Sequence, residues 1–287
     1  MVFAAPAKIN LYLRVIRRMD DGYHEIETLF ERISIFDRIA IEPAKEKTAI
    51  TCTDPRVPVD ENSLMGQTVK AFNERHGKDL HFRISLEKNI PVSAGLGGGS
   101  SDAAALLKGL NRIAGEPLDD GALLSMARAL GADVPFFLND CSFGYGSGRG
   151  DIIQKVETPM DIGHVLISPP FEVSTKKVYD RVSAFDLTKN TGVDKMFSAF
   201  LSENDINGLA ENLRNDLQTI VLRDFPVLEK VFFELRKAGA KGTLLSGSGP
   251  TVFGIFELDR VMEAGERIRQ FFSAEKDWRV YVARTYK

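Results

Sequence analysis

The sequence predicts an α+β protein of two domains, and three observations predict it. Stretches that alternate apolar and polar residues with period two recur through the first part of the chain. One of these strands runs into a run of glycines that opens at once into a helical pattern. From residue 226 onward the order is helix, strand, glycine loop, strand, helix, strand, which suits helices packed on one face of an antiparallel sheet. At 287 residues the chain can bury a large core and hold one or two domains. We place a boundary near residue 155, giving 1–155 and 156–287, with the last strand a candidate to pack back on the first domain.

The elements follow in order. In "AKINLYLRV", residues 7–15, Ile9, Leu11, Leu13 and Val15 share one face and Lys8, Asn10, Tyr12 and Arg14 the other, the pattern of a half-buried strand. "RRMDDGY" turns the chain through Asp21-Gly22, and "RISIFDRIAIEP" supplies further strand. "NSLMGQTVKAFNERHG" reads as a helix capped by Asn62 or Ser63 and stopped by Gly77. "LHFRISLEKNIP" alternates again. After the glycines, Ala103, Leu106, Leu107, Leu110, Ile113 and Ala114 recur at helical spacing, and a second helix spans about 119–130. "GADVPFFLND" reads as a tight connector and "GYGSGRGD" as a glycine-rich turn. In the second half, "HVLISPP" is a strand, "STKKVYDRV" starts a helix, and residues 193–222 read as mostly helical.

Composition excludes several classes of function. A net charge of −3 argues against a nucleic-acid footprint, which would show as a basic domain. No apolar run approaches the roughly 20 residues of a membrane span. "MVFAAPAKINLYL" lacks the parts of a signal peptide and reads straight into a strand. Cys52 and Cys141 are far apart and outside any C-x-x-C, so neither a zinc site nor a disulfide framework is expected, and a reducing cytoplasm fits.

The glycines carry the chemistry. Four fall within Gly95–Gly99 in "IPVSAGLGGGSSDAA". Glycine lets backbone N–H groups approach a ligand without interference from Cβ, and the helix that follows offers free N–H groups and the positive end of its dipole. Strand, glycine loop and helix together point to phosphate. The plainer alternative, a turn needed for close packing, requires one or two glycines rather than four. The loop is not a Walker A, because no lysine follows the glycines. Nor is it the dinucleotide fingerprint, whose third glycine position falls on Ser100. The H-R-D and D-F-G of protein kinases are absent.

Three ordered motifs resemble those of the GHMP kinases: "PAKINLYLRV" their first, "PVSAGLGGGSSDAA" their second and "LLSGSGPTVFGIF" their third. Within that superfamily, "PAKINL", "DGYHEIETLF", "GLGGGSSDAA" and "GADVPFFL" are similar to the branch that phosphorylates the 2-hydroxyl of a cytidine-diphosphate-linked methylerythritol. The resemblance implies a two-domain architecture, with an N-terminal nucleotide domain like domain 2 of ribosomal protein S5 and a ferredoxin-like C-terminal domain. It implies ATP as phosphoryl donor and a small acceptor bearing a cytidine diphosphate; magnesium is expected from the reaction, no nucleic-acid or membrane partner from the composition, and the chain is expected to be a monomer or homodimer.

Site residues follow. Pro91, Val92, Ser93, Ala94, Gly95, Leu96, Gly97, Gly98, Gly99, Ser100 and Ser101 form the expected phosphate loop. The two serine hydroxyls could reach a phosphate or Mg²⁺, or cap the next helix. Asp133 lies just past a helix end, where a carboxylate gains nothing from the dipole, and Pro135 constrains Val134 to extended backbone. By itself it reads as a solvated turn aspartate; the resemblance makes it the catalytic aspartate. Lys8 by itself reads as an edge-strand lysine, and shares a face with Asn10 roughly 7 Å away. By resemblance Lys8 is the partner of Asp133, and Asn10 contacts substrate. The resemblance also places His24 and Tyr23 at a cytosine ring, with Tyr179 the stacking aromatic; the plainer reading of Tyr179 is a core residue of the second domain. "SGSG" at 246–249 reads as a hairpin turn that the resemblance brings against the active site. His81 and His164 look structural. Mevalonate and homoserine are the alternative acceptors, and a non-catalytic nucleotide- or RNA-binding module is the alternative of another class, since fold alone does not decide function. "DGYHEIETLF" speaks against the first pair. Retention of Lys8 and Asp133, with an acidic balance, speaks against the module.

Overall fold

The structure, a computed structural model, describes residues 1–182, 197 and 200–287. Its contacts divide the chain into two compact units. The first is Met1–Ala7, Ile35–Val92 and Gly97–Asp140; the second is Lys8–Ser34, Ser93–Leu96 and Cys141–Lys287. Two long strands, β1 (Val2–Arg18) and β2 (His24–Ala44), run through both.

In the first unit the later half of β2 pairs antiparallel with β4 (His81–Glu87), and β4 pairs in parallel with β3 (Ala49–Cys52). The helices are α1 (Leu64–His76), α2 (Gly98–Ile113), α3 (Asp120–Leu130) and α4 (Val134–Leu138). Local chemistry sets their ends. Ser63, not Asn62, caps α1 by accepting from the Gly66 N–H, and Gly77 closes it in the left-handed conformation at φ 73°. Asp119 caps α3 by accepting from the Ala122 N–H. Ile39, Ile41, Phe72, Phe82, Ile84, Leu106 and Leu110 bury one core between sheet and helices.

The second unit adds β5 (Phe143–Ser147), β6 (Ile152–Val156), β7 (Gly163–Ser168), α5 (Thr175–Tyr179), α6 (Ile206–Glu211), β8 (Arg214–Asn215), α7 (Gln218–Asp224), α8 (Leu228–Lys237), β9 (Gly242–Leu245), β10 (Val252–Phe256), α9 (Val261–Phe272) and β11 (Arg279–Arg284). A four-stranded antiparallel sheet has the order β11-β7-β10-β9. Val231 and Leu235 of α8 and Ala264 and Ile268 of α9 share a core with Val165, Ile167, Val252 and Phe256 of the sheet. This is the α+β order read from residue 226 onward. Of "GYGSGRGD", read as a turn, only Gly148–Asp151 turn the β5–β6 hairpin; Gly144–Ser147 belong to β5, which pairs with both β6 and β2.

One expectation is corrected here and another holds. The strand at 7–15 is not half-buried: Lys8 is 4% exposed, Asn10 2%, Tyr12 5% and Arg14 1%, so both faces are covered. Residues 193–222 are mostly helical as far as they are described. The short helices α6 and α7 flank β8 there, while positions 193–196, 198 and 199 lie outside the described residues.

Candidate active site

In the second unit, parts of all three motifs meet. Lys8 is buried in mid-strand, its Nζ donating to Asn10 Oδ1 at 2.6 Å and lying 5.5 Å from the centre of the Phe30 ring. Asn10 Nδ2 in turn donates to Thr28 Oγ1 at 2.8 Å, and Thr28 Oγ1 donates to the Tyr12 carbonyl at 2.7 Å. Both ends of the Asn10 amide are therefore engaged, which fixes which way it points. The Lys8 N–H donates to the carbonyl of Leu96 in the glycine loop at 3.0 Å. Gly95 sits at φ +78°, and its carbonyl accepts from Ser246 Oγ at 2.9 Å.

The third motif closes the arrangement. Residues 246–251 do form the hairpin loop between β9 and β10, and they also reach the first motif. A Cβ added to Gly247, at φ +56°, would lie 3.3 Å from Asn10 Oδ1 and 3.4 Å from Lys8 Nζ, so the loop backbone passes directly over that pair. Asn215 holds it there, its Nδ2 donating to the carbonyls of Leu245 and Gly247 at 2.8 and 2.7 Å. Thr175 Oγ1 and Ser248 Oγ lie 2.7 Å apart, tying the loop to the start of α5.

That helix ends in Tyr179, whose ring lies 5.3 Å from His24, the planes tilted by 37°. Tyr179 is half-buried and also packs on the core of its unit, as the plainer reading of it has it. Burial, then the nearby charge of Arg18, holds the His24 pKa below the ordinary histidine value. The imidazole is thus neutral near pH 7, with one nitrogen to donate and one to accept. Tyr23 is 57% exposed and lies under the guanidinium of Arg149, 5.1 Å from its ring centre. The Gly148 carbonyl accepts from the Ile26 N–H at 2.7 Å, holding the "GYGSGRGD" turn beside this strand start. Thr28, Asn215, Thr175 and Arg149 were not picked out from the sequence; Thr28 and Arg149 lie in stretches that were, "DGYHEIETLF" and "GYGSGRGD", but nothing local marks these residues within them.

The rest of the glycine loop belongs to the first unit. Gly97, left-handed at φ 68°, stands at the N-cap of α2, and no side chain caps that helix. Ser100 and Ser101 do not cap it; they are its third and fourth residues. Ser101 Oγ is buried without a hydrogen-bond partner among the described residues. Uncapped first-turn N–H groups and an orphaned hydroxyl fit an anion such as phosphate. Among the described residues no group of three or more His, Cys, Asp or Glu could hold a metal ion.

Below the same helix start lies a buried ionic cluster. Lys88 Nζ donates to Asp37 Oδ2 and, at 2.7 Å, to Asp102 Oδ2. Burial pushes the Asp102 carboxyl up, Lys88 pulls it down and Asp37 pushes it up again, to about 7. Burial works against the charge on Lys88, but Asp102 and Asp37 outweigh it and its pKa is raised.

Asp133 corrects two expectations. It stands at the N-cap of α4, not merely past a helix end, so the dipole favours its charge. Val134 is the first residue of that helix and not extended; Pro135 in the first turn needs no N–H donor and suits it. The Asp133 side chain is half-buried and does not cap α4.

A model of the GHMP kinases N terminal domain matches residues 63–140, and one of the GHMP kinases C terminal domain matches 196–274. A protein of Desulfotalea psychrophila named 4-diphosphocytidyl-2-C-methyl-D-erythritol kinase is 38% identical over 256 residues, covering 88% of this chain and 84% of its own. One of Syntrophotalea carbinolica with the same name is 38% identical over 281 residues, covering 97% and 96%. A crystal structure of 4-(cytidine 5'-diphospho)-2C-methyl-D-erythritol kinase superposes with a TM-score of 0.82 at 33% identity, over 99% of this chain and 98% of that one. A homoserine kinase from Cytophaga hutchinsonii, TM-score 0.76 at 19% identity over 99% and 93%, shares the fold.

Proposed function

This chain belongs to the 4-diphosphocytidyl-2-C-methyl-D-erythritol kinases of the GHMP family, and from that premise we propose which of its residues carry the reaction. The reaction is ATP-dependent phosphorylation of the substrate's 2-hydroxyl, a step of isoprenoid synthesis. The observation that carries the assignment is the meeting of Lys8 and Asn10, the Gly95–Leu96 backbone and the Ser246–Gly249 loop beside the His24–Tyr179 ring pair.

Phosphoryl transfer asks a protein mainly for positioning and charge stabilisation. The backbone N–H groups of the glycine loop and the start of α2 hold the nucleotide phosphates. Asp133 accepts the proton of the acceptor hydroxyl as that oxygen bonds to the γ-phosphorus and the bond to the leaving diphosphate oxygen breaks. Lys8 supplies positive charge that favours the acceptor oxygen as its proton leaves. Asn10, with its amide locked by Lys8 and Thr28, orients the acceptor. Magnesium, which arrives with the nucleotide in this reading, supplies neutralising charge on the phosphates.

His24 reads the edge of the cytosine while Tyr179 and Tyr23 pack on it. Stacking alone reads bases poorly because every base has a π-face. We expect His24→Ala to raise the acceptor KM about tenfold to a hundredfold, the scale of a buried polar group left unmatched, with the ATP KM unchanged. Tyr179→Phe should be mild and Tyr179→Ala severe. In the unaltered enzyme the acceptor KM should be flat above neutrality and climb only as pH falls through the lowered pKa of His24, where protonation removes its acceptor nitrogen. Steady-state kinetics across pH decide this, and an unchanged acceptor KM in both alanine variants would move the cytosine site elsewhere.

A coupled assay with the cytidyl substrate, mevalonate and homoserine in parallel tests the assignment. Turnover is expected with the first alone. Turnover with either of the others would reassign the acceptor, and none with any would leave a binding module. A cytoplasmic location and a split into 1–155 and 156–287 belong to the same reading; limited proteolysis near residue 155 addresses the split.

A further inference from the structure

Lys88 is the nearest cation in sequence to the glycine loop, yet it does not face outward. Its side chain is 4% exposed, and the two carboxylates that hold it, Asp37 and Asp102, are 0% and 3% exposed. The three residues come from different elements of the first unit: Asp37 from β2, Lys88 from the exit of β4, Asp102 from the second turn of α2. Asp37 does more than pair a charge. Its Oδ1 accepts from the N–H groups of Asn89 and Ile90 at 2.5 and 2.8 Å, while Oδ2 takes Lys88. The Lys88 N–H donates to Thr53 Oγ1 at 2.9 Å. The chain that enters the loop is thus fastened at three successive residues, and Lys88 Nζ carries the same fastening to the helix that leaves it.

Gly98 shows how closely the cluster underlies that helix start. A Cβ there would lie 2.9 Å from Lys88 Nζ and 3.0 Å from Ile90 Cγ2. The helix can settle on the cluster only because its first residue has no side chain. The arrangement is also poor value as plain stability. A buried ion pair gives up hydration on both partners, and hydrophobic residues of like size often replace it without loss. Here two acids share one base, and Asp102 Oδ1 has no hydrogen-bond partner among the described residues. What the cluster does provide is a fixed separation between the two ends of the loop.

We propose that Lys88, clamped between Asp37 and Asp102, is a positioning residue that holds the entry and exit of the glycine loop at the spacing nucleotide phosphates require. It touches no phosphate; its ammonium is committed below the helix. The proposal rests on the reading of this loop as the ATP site, and the test separates the two.

Lys88→Met removes the charge and keeps the length. The expected result is a rise in ATP KM, and in the Kd of a non-hydrolysable ATP analogue, of about 10- to 100-fold, the scale on which an ångström of misplacement is felt. The kcat at saturating ATP and the acceptor KM should stay within about threefold, a split that general loosening of the fold would not give. Asp102→Asn, which keeps the shape and can still accept from Lys88, should show a smaller rise of the same kind. In the Asp102→Asn background Lys88→Met should cost less than in the parent, because one buried acid no longer goes unpaired. If Lys88→Met does not fold, the double variant and Asp102→Asn carry the measurement. A folded variant with parental ATP affinity, or one that loses kcat and both KM values together, overturns the proposal. Gly97→Val is the control for the underlying reading: if it leaves ATP affinity unchanged, the loop is not the ATP site. If it weakens ATP and the Lys88 variants do not, the clamp alone fails.

Discussion

Replacing Asp133 by asparagine is expected to leave a folded protein that binds ATP and turns over about 10²- to 10⁴-fold more slowly, the usual worth of a general base. That loss corresponds to roughly 3–5 kcal/mol of transition-state stabilisation. The substitution keeps the shape and removes only the charge and the basic oxygen. The aspartate does not cap α4, so asparagine takes no cap hydrogen bond from the helix, and Pro135 continues to set its first turn. KM values for both substrates should move little, because the lost interaction is made only as the proton leaves the hydroxyl. A purified Asp133→Asn enzyme with near-parental kcat would remove this residue from the mechanism. A fall in ATP affinity equal to the fall in kcat would make it a binding residue instead.

Gly95→Ala carries the second large effect. Gly95 is at φ +78°, and a Cβ there would land on the Ser246 carbonyl oxygen, with the Gly249 oxygen and nitrogen at 3.1 and 3.2 Å. All three are backbone atoms in a loop that Asn215 and Ser246 hold in place, so no flexible side chain can swing aside. The left-handed backbone costs alanine about 1–2 kcal/mol. Forced displacement of packed atoms adds roughly 1–3 kcal/mol. Gly22 supplies the comparison. It sits at φ +86° with nothing within 4 Å of its would-be Cβ, so Gly22→Ala meets the first cost alone. Gly95→Ala should therefore lower Tm by several degrees more than Gly22→Ala, at about 2–4 °C per kcal/mol for a chain somewhat smaller than this one. It should also lose activity, because Leu96 and Gly247 both register against Lys8 through this contact. Equal melting temperatures for the two variants would show that the second and third motifs do not pack this way in solution.

Both predictions draw on residues that were visible before any coordinates, but in different ways. The glycine run was legible because backbone needs are local: a strand must stop, a helix must start, and glycines between them point to positive φ and close approach. The ends of α1 were legible for the same reason, as Ser63 and Gly77 act on N–H and C=O groups within a few residues. The αββαβ order of the second unit followed from periodicity, which a strand or helix of this length expresses in its own sequence.

Asp133 was picked out as a residue and misplaced as a structure. "GADVP" looks like a turn because glycine and proline mark turns most often, yet proline serves equally in the first turn of a helix, and only the coordinates distinguish the two. Asp37 was overlooked entirely. Nothing in "RISIFDRIAIEP" marks one aspartate among strand residues as the acceptor for a backbone 52 and 53 positions away.

The division has a physical basis. The sequence by itself determined where most strands and helices run, that a run of glycines opens α2, and, through three motifs in order, the kind of reaction. Only the tertiary structure decided which faces are covered and which distant residues meet. Period two says that the faces of a strand differ, not that one is wet; β1 buries Lys8, Asn10 and Arg14 as fully as Ile9 and Leu11. The contacts of Lys8 with Leu96 and Gly247, and of Thr175 with Ser248, span 73 or more positions of chain. No local pattern encodes such pairs, because they form only when the cores beneath them have packed and brought both backbones to one place.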